Sequence, residues 1–252
     1  MSQHRPTLFL LILLSLLAST PALADSVTDR ATDRVREGIK RHTGDQVSAD
    51  RVSATPIPGV FEVVTGLDVF YADATGRYAF IDGRLVDTQQ KRDLTQSTLD
   101  TLSRIDFKSL PLNLAIKTVT GTGKRQLAIF EDPTCPACQA LHGALGQLKD
   151  VTLYTFAYPI ISENAIPAAV ATLCAPAAIR AAKWNGYMQG RPLPETIDAG
   201  CDRAQADLQA ILALGDKYRV RNTPTLFLGN GKRVVGGIPP EQLAAALDEL
   251  GQ

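Results

Sequence analysis

Cys135 and Cys138 stand two residues apart in Phe130-Glu131-Asp132-Pro133-Thr134-Cys135-Pro136-Ala137-Cys138. The apolar run Leu127–Phe130 before them predicts a buried strand, and Gln139–Leu145 after them predicts a helix. The first turn of a helix offers unpaired backbone N–H groups and a partial positive charge. A sulfur placed there is stabilised as thiolate, so its pKa falls and it becomes a nucleophile near neutral pH. A second cysteine one turn on can attack the mixed disulfide that forms and release the partner. That is dithiol–disulfide exchange.

Other uses of the pair are weaker. Zinc would take Cys135, Cys138 and His142 but needs a fourth ligand from Cys174, Cys201 or a distant acid, and neither remaining cysteine belongs to a second paired motif. Covalent haem needs His directly after the second cysteine, where Gln139 stands. A purely structural bridge across so short a loop adds little stability. No metal and no cofactor is therefore expected.

Near the other end of the chain, Arg221-Asn222-Thr223-Pro224-Thr225-Leu226-Phe227-Leu228 is a loop feeding an apolar strand. By itself Pro224 could simply open an edge strand. With the dithiol motif, Thr223-Pro224 resembles the thioredoxin superfamily, in which such a pair, joined by a cis peptide bond, opens the strand beside the cysteines. The resemblance implies that Thr223 and Pro224 line the substrate-binding loop.

Elements must be found to carry these residues. Residues 1–24 combine His4 and Arg5, an apolar run of about eleven residues and Ala22-Leu23-Ala24, the pattern of a secretory signal peptide cleaved after Ala24. The whole chain has 26 basic and 26 acidic residues, and removing a segment whose only formal charge is Arg5 leaves one acid in excess. No charge bias points to nucleic acid or to a membrane surface. Export places all four cysteines in an oxidising compartment. The dithiol reading leaves Cys174 and Cys201 as the other bridge, closing a loop of roughly 28 residues.

The mature chain is long for one domain. Residues 25–90 form the expected N-terminal domain: a charged helix with Val27, Ala31, Val35 and Ile39 on one stripe, a stop at Gly44, then short strands at 51–55, 60–65, 67–71 and 77–81. So small a module buries only a thin core, and its sheet edges invite a partner. Residues 91–107 predict a linker helix with Asp93 or Thr95 as N-cap. Residues 108–252 give strands at 114–119, 127–130 and 152–158, an alanine-rich helical stretch from 161 to about 218, strands at 225–228 and 233–235 around Gly229-Asn230-Gly231, and a last helix at 240–250. The expected fold is α+β/α/β, a thioredoxin-like catalytic domain with a helical insertion behind a small N-terminal domain.

This order, with Phe130-x-Asp132-x-x-Cys135-x-x-Cys138, the later cysteine pair and Thr223-Pro224, resembles the periplasmic disulfide isomerases of the DsbC/DsbG type. The resemblance implies Cys135 as attacking thiol, Cys138 as resolving thiol and Cys174–Cys201 as a structural disulfide. It implies a homodimer formed through residues 25–90, periplasmic location, misfolded disulfide-containing exported proteins as substrates, chaperone activity in the dimer cleft, and a membrane thiol reductase of the DsbD type as electron source. The alternatives are a dithiol oxidase and a holdase in which the thiols are secondary. Pro136-Ala137 departs from the Gly-Tyr and Pro-Tyr of the best-known members, and these two positions tune reduction potential. Leu127-Ala128-Ile129 lacks the buried strand acid of thioredoxins proper. Glu131 and Asp132 are expected to be exposed, either raising the thiol pKa by repulsion or standing as solvated loop charges.

Overall fold

A computed structural model describes residues 22–249, so most of the leader expected at 1–24 lies outside the described residues. The chain divides into two compact units, up to Thr95 and from Gln96 onward.

In the first unit, helix α1 (Ala22–His42) lays Val35 and Ile39 on a four-stranded antiparallel sheet of β1 (Arg51–Ala54), β2 (Val60–Thr65), β3 (Asp68–Asp73) and β4 (Ala79–Phe80). Strand alternation sends Val52, Phe61, Val63, Phe70 and Ala72 to that core, while Arg51 and Glu62 pair outside it at 3.5 Å. The helix approaches the β3–β4 turn closely. A Cβ at Gly38 would lie 2.0 Å from the Thr75 carbonyl oxygen, and Gly76 takes φ +66°. His42 Nδ1 donates to Gly76 O at 3.2 Å.

The strand expected at 77–81 shrinks to two residues because the turn extends to Tyr78. Asp73 Oδ1 accepts from the N–H groups of Arg77 (2.9 Å) and Tyr78 (3.0 Å), and with Thr75 these bonds hold its pKa at about 2. A two-stranded ribbon follows, β5 (Val86–Asp87) with β6 (Arg92–Asp93). The helix expected over 91–107 is shorter, α2 (Leu94–Leu102). Thr95 lies inside it and caps nothing there: its hydroxyl accepts from Leu85 N at 2.7 Å and meets Tyr71 OH at 2.5 Å.

The second unit is built on a five-stranded sheet, order β11-β10-β8-β9-β7. In chain order the elements are β7 (Ile116–Val119), β8 (Arg125–Glu131), α3 (Pro136–Leu145), β9 (Val151–Ala157), α4 (Ile166–Cys174), α5 (Ala177–Met188), α6 (Asp202–Lys217), β10 (Thr225–Leu228), β11 (Arg233–Val235) and α7 (Pro240–Asp248). Only β8 and β9 run parallel; the other pairs are antiparallel. Strand β8 is buried on both faces, which is why it reads as an unbroken apolar run. Leu127 and Ile129 join Leu141, Leu145, Leu243 and Leu247 of α3 and α7 on one side. Ala128 and Phe130 join Phe156, Trp184, Leu208 and Ile211 on the other, under the insertion.

The insertion is three helices, α4, α5 and α6, rather than one stretch. Arg180 of α5 donates to the Leu173 and Ala175 carbonyls at the end of α4, satisfying groups that the helix leaves open. A disulfide joins Cys174, the last residue of α4, to Cys201, just before α6. The bridge closes a loop with a sequence separation of 27. Replacing both cysteines with serine is expected to lower stability by about 3–4 kcal/mol, measured by urea denaturation, while thiol exchange at Cys135 persists. Loss of exchange in a still-folded double variant would instead place this pair in an electron relay.

Candidate active site

The site begins where β8 ends. The strand runs one residue beyond the apolar stretch, to Glu131, and both Glu131 and Asp132 are fully buried. The expectation that they are exposed is therefore wrong, and the physical reason is that each carboxylate is supplied with donors. Asp132 Oδ1 accepts from Thr134 N (2.7 Å) and Thr134 Oγ1 (2.6 Å), and Oδ2 accepts from Ile161 N (2.9 Å). Its carbonyl accepts from Cys135 N at 3.1 Å. Three donors to one carboxylate fix the four residues between strand and helix and tie them to the loop after β9.

Cys135 is the N-cap of α3, with Pro136 at the first helical position, where a missing N–H costs nothing. Its Sγ accepts from Cys138 N at 3.3 Å and, as a thiol, donates to the Thr223 carbonyl at 3.3 Å. The Thr223–Pro224 peptide bond is cis, and β10 pairs with β8 in a register that sets Thr225 opposite Phe130. So Cys135, Cys138, Thr223 and Pro224 come together, whereas Cys174 and Cys201 form their own bridge within the insertion. Cys135 is 5% exposed and Cys138 is fully buried. Burial drives the Cys138 thiol far above the ordinary cysteine range; a hydrogen bond from the Asp132 backbone opposes this without reversing it. One sulfur lies at a helix start, the other is held as a neutral thiol beneath it.

Beside the thiols is a second cluster, buried at Glu131 and Trp184 and open to solvent at Asn185, that the sequence reading missed. Glu131 accepts from Trp184 Nε1 at 2.6 Å, and His142 Nδ1 lies 3.1 Å from its Oε1. His142 Nε2 lies 2.9 Å from Asn185 Oδ1. Burial pulls the His142 pKa down, but the hydrogen bond and charge of Glu131, with help from Asn185, outweigh it and raise it above the ordinary value. Both ring nitrogens of His142 are so engaged, and among the described residues no group of three or more His, Cys, Asp or Glu side chains gathers in the manner of metal ligands. The available signal was the spacing of His142, one helical turn after Cys138, together with the single tryptophan of the chain. Nothing in the linear pattern linked these two to Glu131.

The thioredoxin-like domain profile matches residues 112–251, and the disulfide bond isomerase protein N-terminal domain profile matches residues 20–96. The chain is 42% identical over 198 residues to the probable thiol:disulfide interchange protein DsbC of Bordetella avium, covering 78% of this chain and 68% of that one. The chain belongs to the DsbC family. The Bordetella pertussis DsbC is 38% identical over 210 residues, covering 82% of this chain and 71% of the relative. Among solved structures, a disulfide interchange protein from Neisseria gonorrhoeae shares 31% identity with a TM-score of 0.49, covering 57% of this chain and 99% of that one. The two profile matches make the fold a DsbC-type N-terminal domain followed by a thioredoxin-like domain, here with a helical insertion.

The Glu131–His142 pair predicts a pH dependence. A histidine whose pKa is raised in the folded protein contributes stability that is complete below its unfolded pKa, about 6.5, and is lost as pH rises through the folded value. His142→Gln should therefore cost about 1.5–3 kcal/mol in mildly acidic buffer and progressively less at alkaline pH. Urea denaturation of both proteins across this range checks it; a cost that does not shrink contradicts it.

Proposed function

We propose that the chain is an exported thiol:disulfide interchange enzyme that rearranges wrong disulfides in periplasmic proteins. The observation that carries this reading is the seat of Cys135 Sγ, between the Cys138 amide and the Thr223 carbonyl. The amide stabilises a thiolate at the place where a substrate strand can pair with the loop at Thr223. In the exchange, the Cys135 thiolate attacks one sulfur of a substrate disulfide. A Cys135–substrate disulfide forms and the other substrate sulfur leaves as thiolate. That thiolate, or another of the substrate, can then attack a different position and return Cys135 as thiolate, with no net oxidation. Alternatively Cys138 gives up its proton, attacks Cys135 Sγ and expels the substrate thiol, which reduces the substrate and oxidises the enzyme. Burial keeps Cys138 protonated and slows this second route, leaving the substrate time to rearrange. The reduced enzyme must then be regenerated by an electron donor, in this reading a membrane thiol reductase of the DsbD type.

Residues 25–90 serve as the dimerisation domain, 91–107 as the link and 108–252 as the catalytic domain. Tyr78, Phe80 and Ile81 are exposed by 65%, 70% and 65% at the short outer strand β4. Large apolar side chains on an unpaired sheet edge mark an interface. The occupant is a second copy, which brings two thioredoxin-like domains to one substrate and raises the effective concentration of the second to about millimolar. The cleft between them would also hold unfolded chains. Location follows from the signal peptide at 1–24; among the described residues no helix is long and apolar enough to cross a membrane.

Two outcomes test this. Cys138→Ala should accumulate mixed disulfides with exported proteins, seen on non-reducing gels and mapped by mass spectrometry, and Cys135→Ala none; adducts on Cys138, or on neither, contradict the roles. The mature chain should sediment as a dimer, and Phe80→Asp with Tyr78→Asp should shift it to monomer. That variant should still reduce insulin but lose most refolding of a scrambled multi-disulfide protein; full refolding by the monomer contradicts the N-terminal reading.

A further inference from the structure

Glu131 takes no part in the exchange steps above, yet it is buried at the strand end that leads into the thiols. The two side chains that satisfy it come from different elements: His142 from α3 and Trp184 from α5. His142 continues the chain of contacts to Asn185 Oδ1, also on α5. With the carboxylate on Nδ1 and the Asn185 amide placed with its oxygen toward Nε2, both ring nitrogens donate, as in the imidazolium. The charged pair thus bridges β8, α3 and α5. Helix α3 is fixed at its N-terminus by the Asp132 bonds and one turn beyond Cys138 by His142.

Few other charges face the pair. A cavity of about 150 Å³ beside His142 is lined by Thr118, Thr120, Asn185 and Gln189 among apolar residues, with no second charged group. Lys117 of β7 turns to the Tyr154 ring. On α5 the nearest cations along the chain are Lys183 and Arg180, the latter bonded to the end of α4, and Arg191, beyond the helix, lies against Gly186. On α3 the other titratable group is Cys138.

We propose that Glu131 and His142 are positioning residues for the thiol chemistry, an ion pair of a fully buried carboxylate and a half-buried imidazole that locks α3 to β8 and α5 and so holds the Cys138 amide on Cys135 Sγ. The inference rests on the exchange reading above. When His142 gives its proton to solvent, the neutral ring keeps Nδ1–H on Glu131 but no longer donates to Asn185 Oδ1, so the link to α5 and the positive charge beside the carboxylate are lost together. A buried carboxylate so exposed to loss of its partner disturbs the packing beneath the helix. The Cys138 amide then shifts from Cys135, and each Cys135 thiolate is less well oriented toward a substrate disulfide.

Trp184 is the only tryptophan of the chain, so its fluorescence reports on the pair directly. The experiment uses the full mature chain carrying Cys138→Ala, which leaves Cys135 as the free thiol. Trp184 emission, Cys135 thiolate absorbance and the rate of attack on insulin disulfides are followed from mildly acidic to alkaline pH. The expected result is one emission step, and at that midpoint a fall in attack rate per thiolate. Glu131→Gln should move the step to lower pH by about one unit or more. His142→Gln should abolish it and slow the attack about tenfold even in acid. Absence of any emission step, or a rate per thiolate that stays flat through it, overturns the proposal. So does a folded His142→Gln protein that attacks insulin at the parent rate. A parent protein that forms no adduct with insulin at any pH overturns the exchange reading instead, which keeps the two failures apart.

Discussion

The constraint on which the structure depends is the placement of one sulfur at the first turn of a helix that starts as soon as a buried strand ends. Cys135 must be the N-cap, so the three residues from Asp132 to Thr134 have to turn the chain from strand to helix without leaving polar groups unpaired in the interior. Asp132 does this by taking the Thr134 amide and hydroxyl and the Ile161 amide onto one side chain. Strand β8 supplies the rigid base, with Leu127 and Ile129 in one core and Phe130 in the other. Strand β10, antiparallel to it, brings Thr223 to the sulfur from the other side. Removal of any of these leaves a thiol, but not one set between an amide and a carbonyl.

The two cysteines differ because the fold treats their surroundings differently. Cys135 has a small opening to solvent and an amide donor; Cys138 has no opening, and its burial outweighs the hydrogen bonds that favour ionisation. In the proposed exchange this asymmetry separates attack by Cys135 from resolution by Cys138. It is also a reason for an enzyme of this design to favour rearrangement over reduction, since the resolving sulfur must be deprotonated in a dry environment before it can compete with a substrate thiolate. The N-terminal unit contributes through a different physics, apolar side chains left uncovered at the two-residue strand β4.

Much of this was legible in the sequence because it is local. The strand-to-helix junction at Cys135, the hairpin around Asn230-Gly231 and the amphipathic stripe of α1 each depend on residues a few positions apart. The failures came where a distant partner decides the outcome. Glu131 and Asp132 looked like loop charges, and only Trp184, His142 and Ile161, folded over them from other elements, make their burial tolerable. The strand at 77–81 had the right residue types, but Asp73 captured the amides of Arg77 and Tyr78 for a turn. Of the two cap candidates for α2, Asp93 and Thr95, Thr95 instead serves the Leu85 amide and Tyr71.

The central claim is that the Cys135/Cys138 pair works from its reduced state on substrates that already contain disulfides. Thiol alkylation of living cells before lysis, followed by resolution of the mature chain by mass, measures that state directly. The account predicts that both thiols are found alkylated, while Cys174 and Cys201 are protected as a disulfide. Recovery of Cys135 and Cys138 joined to each other in most of the protein would contradict it and place the chain among the dithiol oxidases.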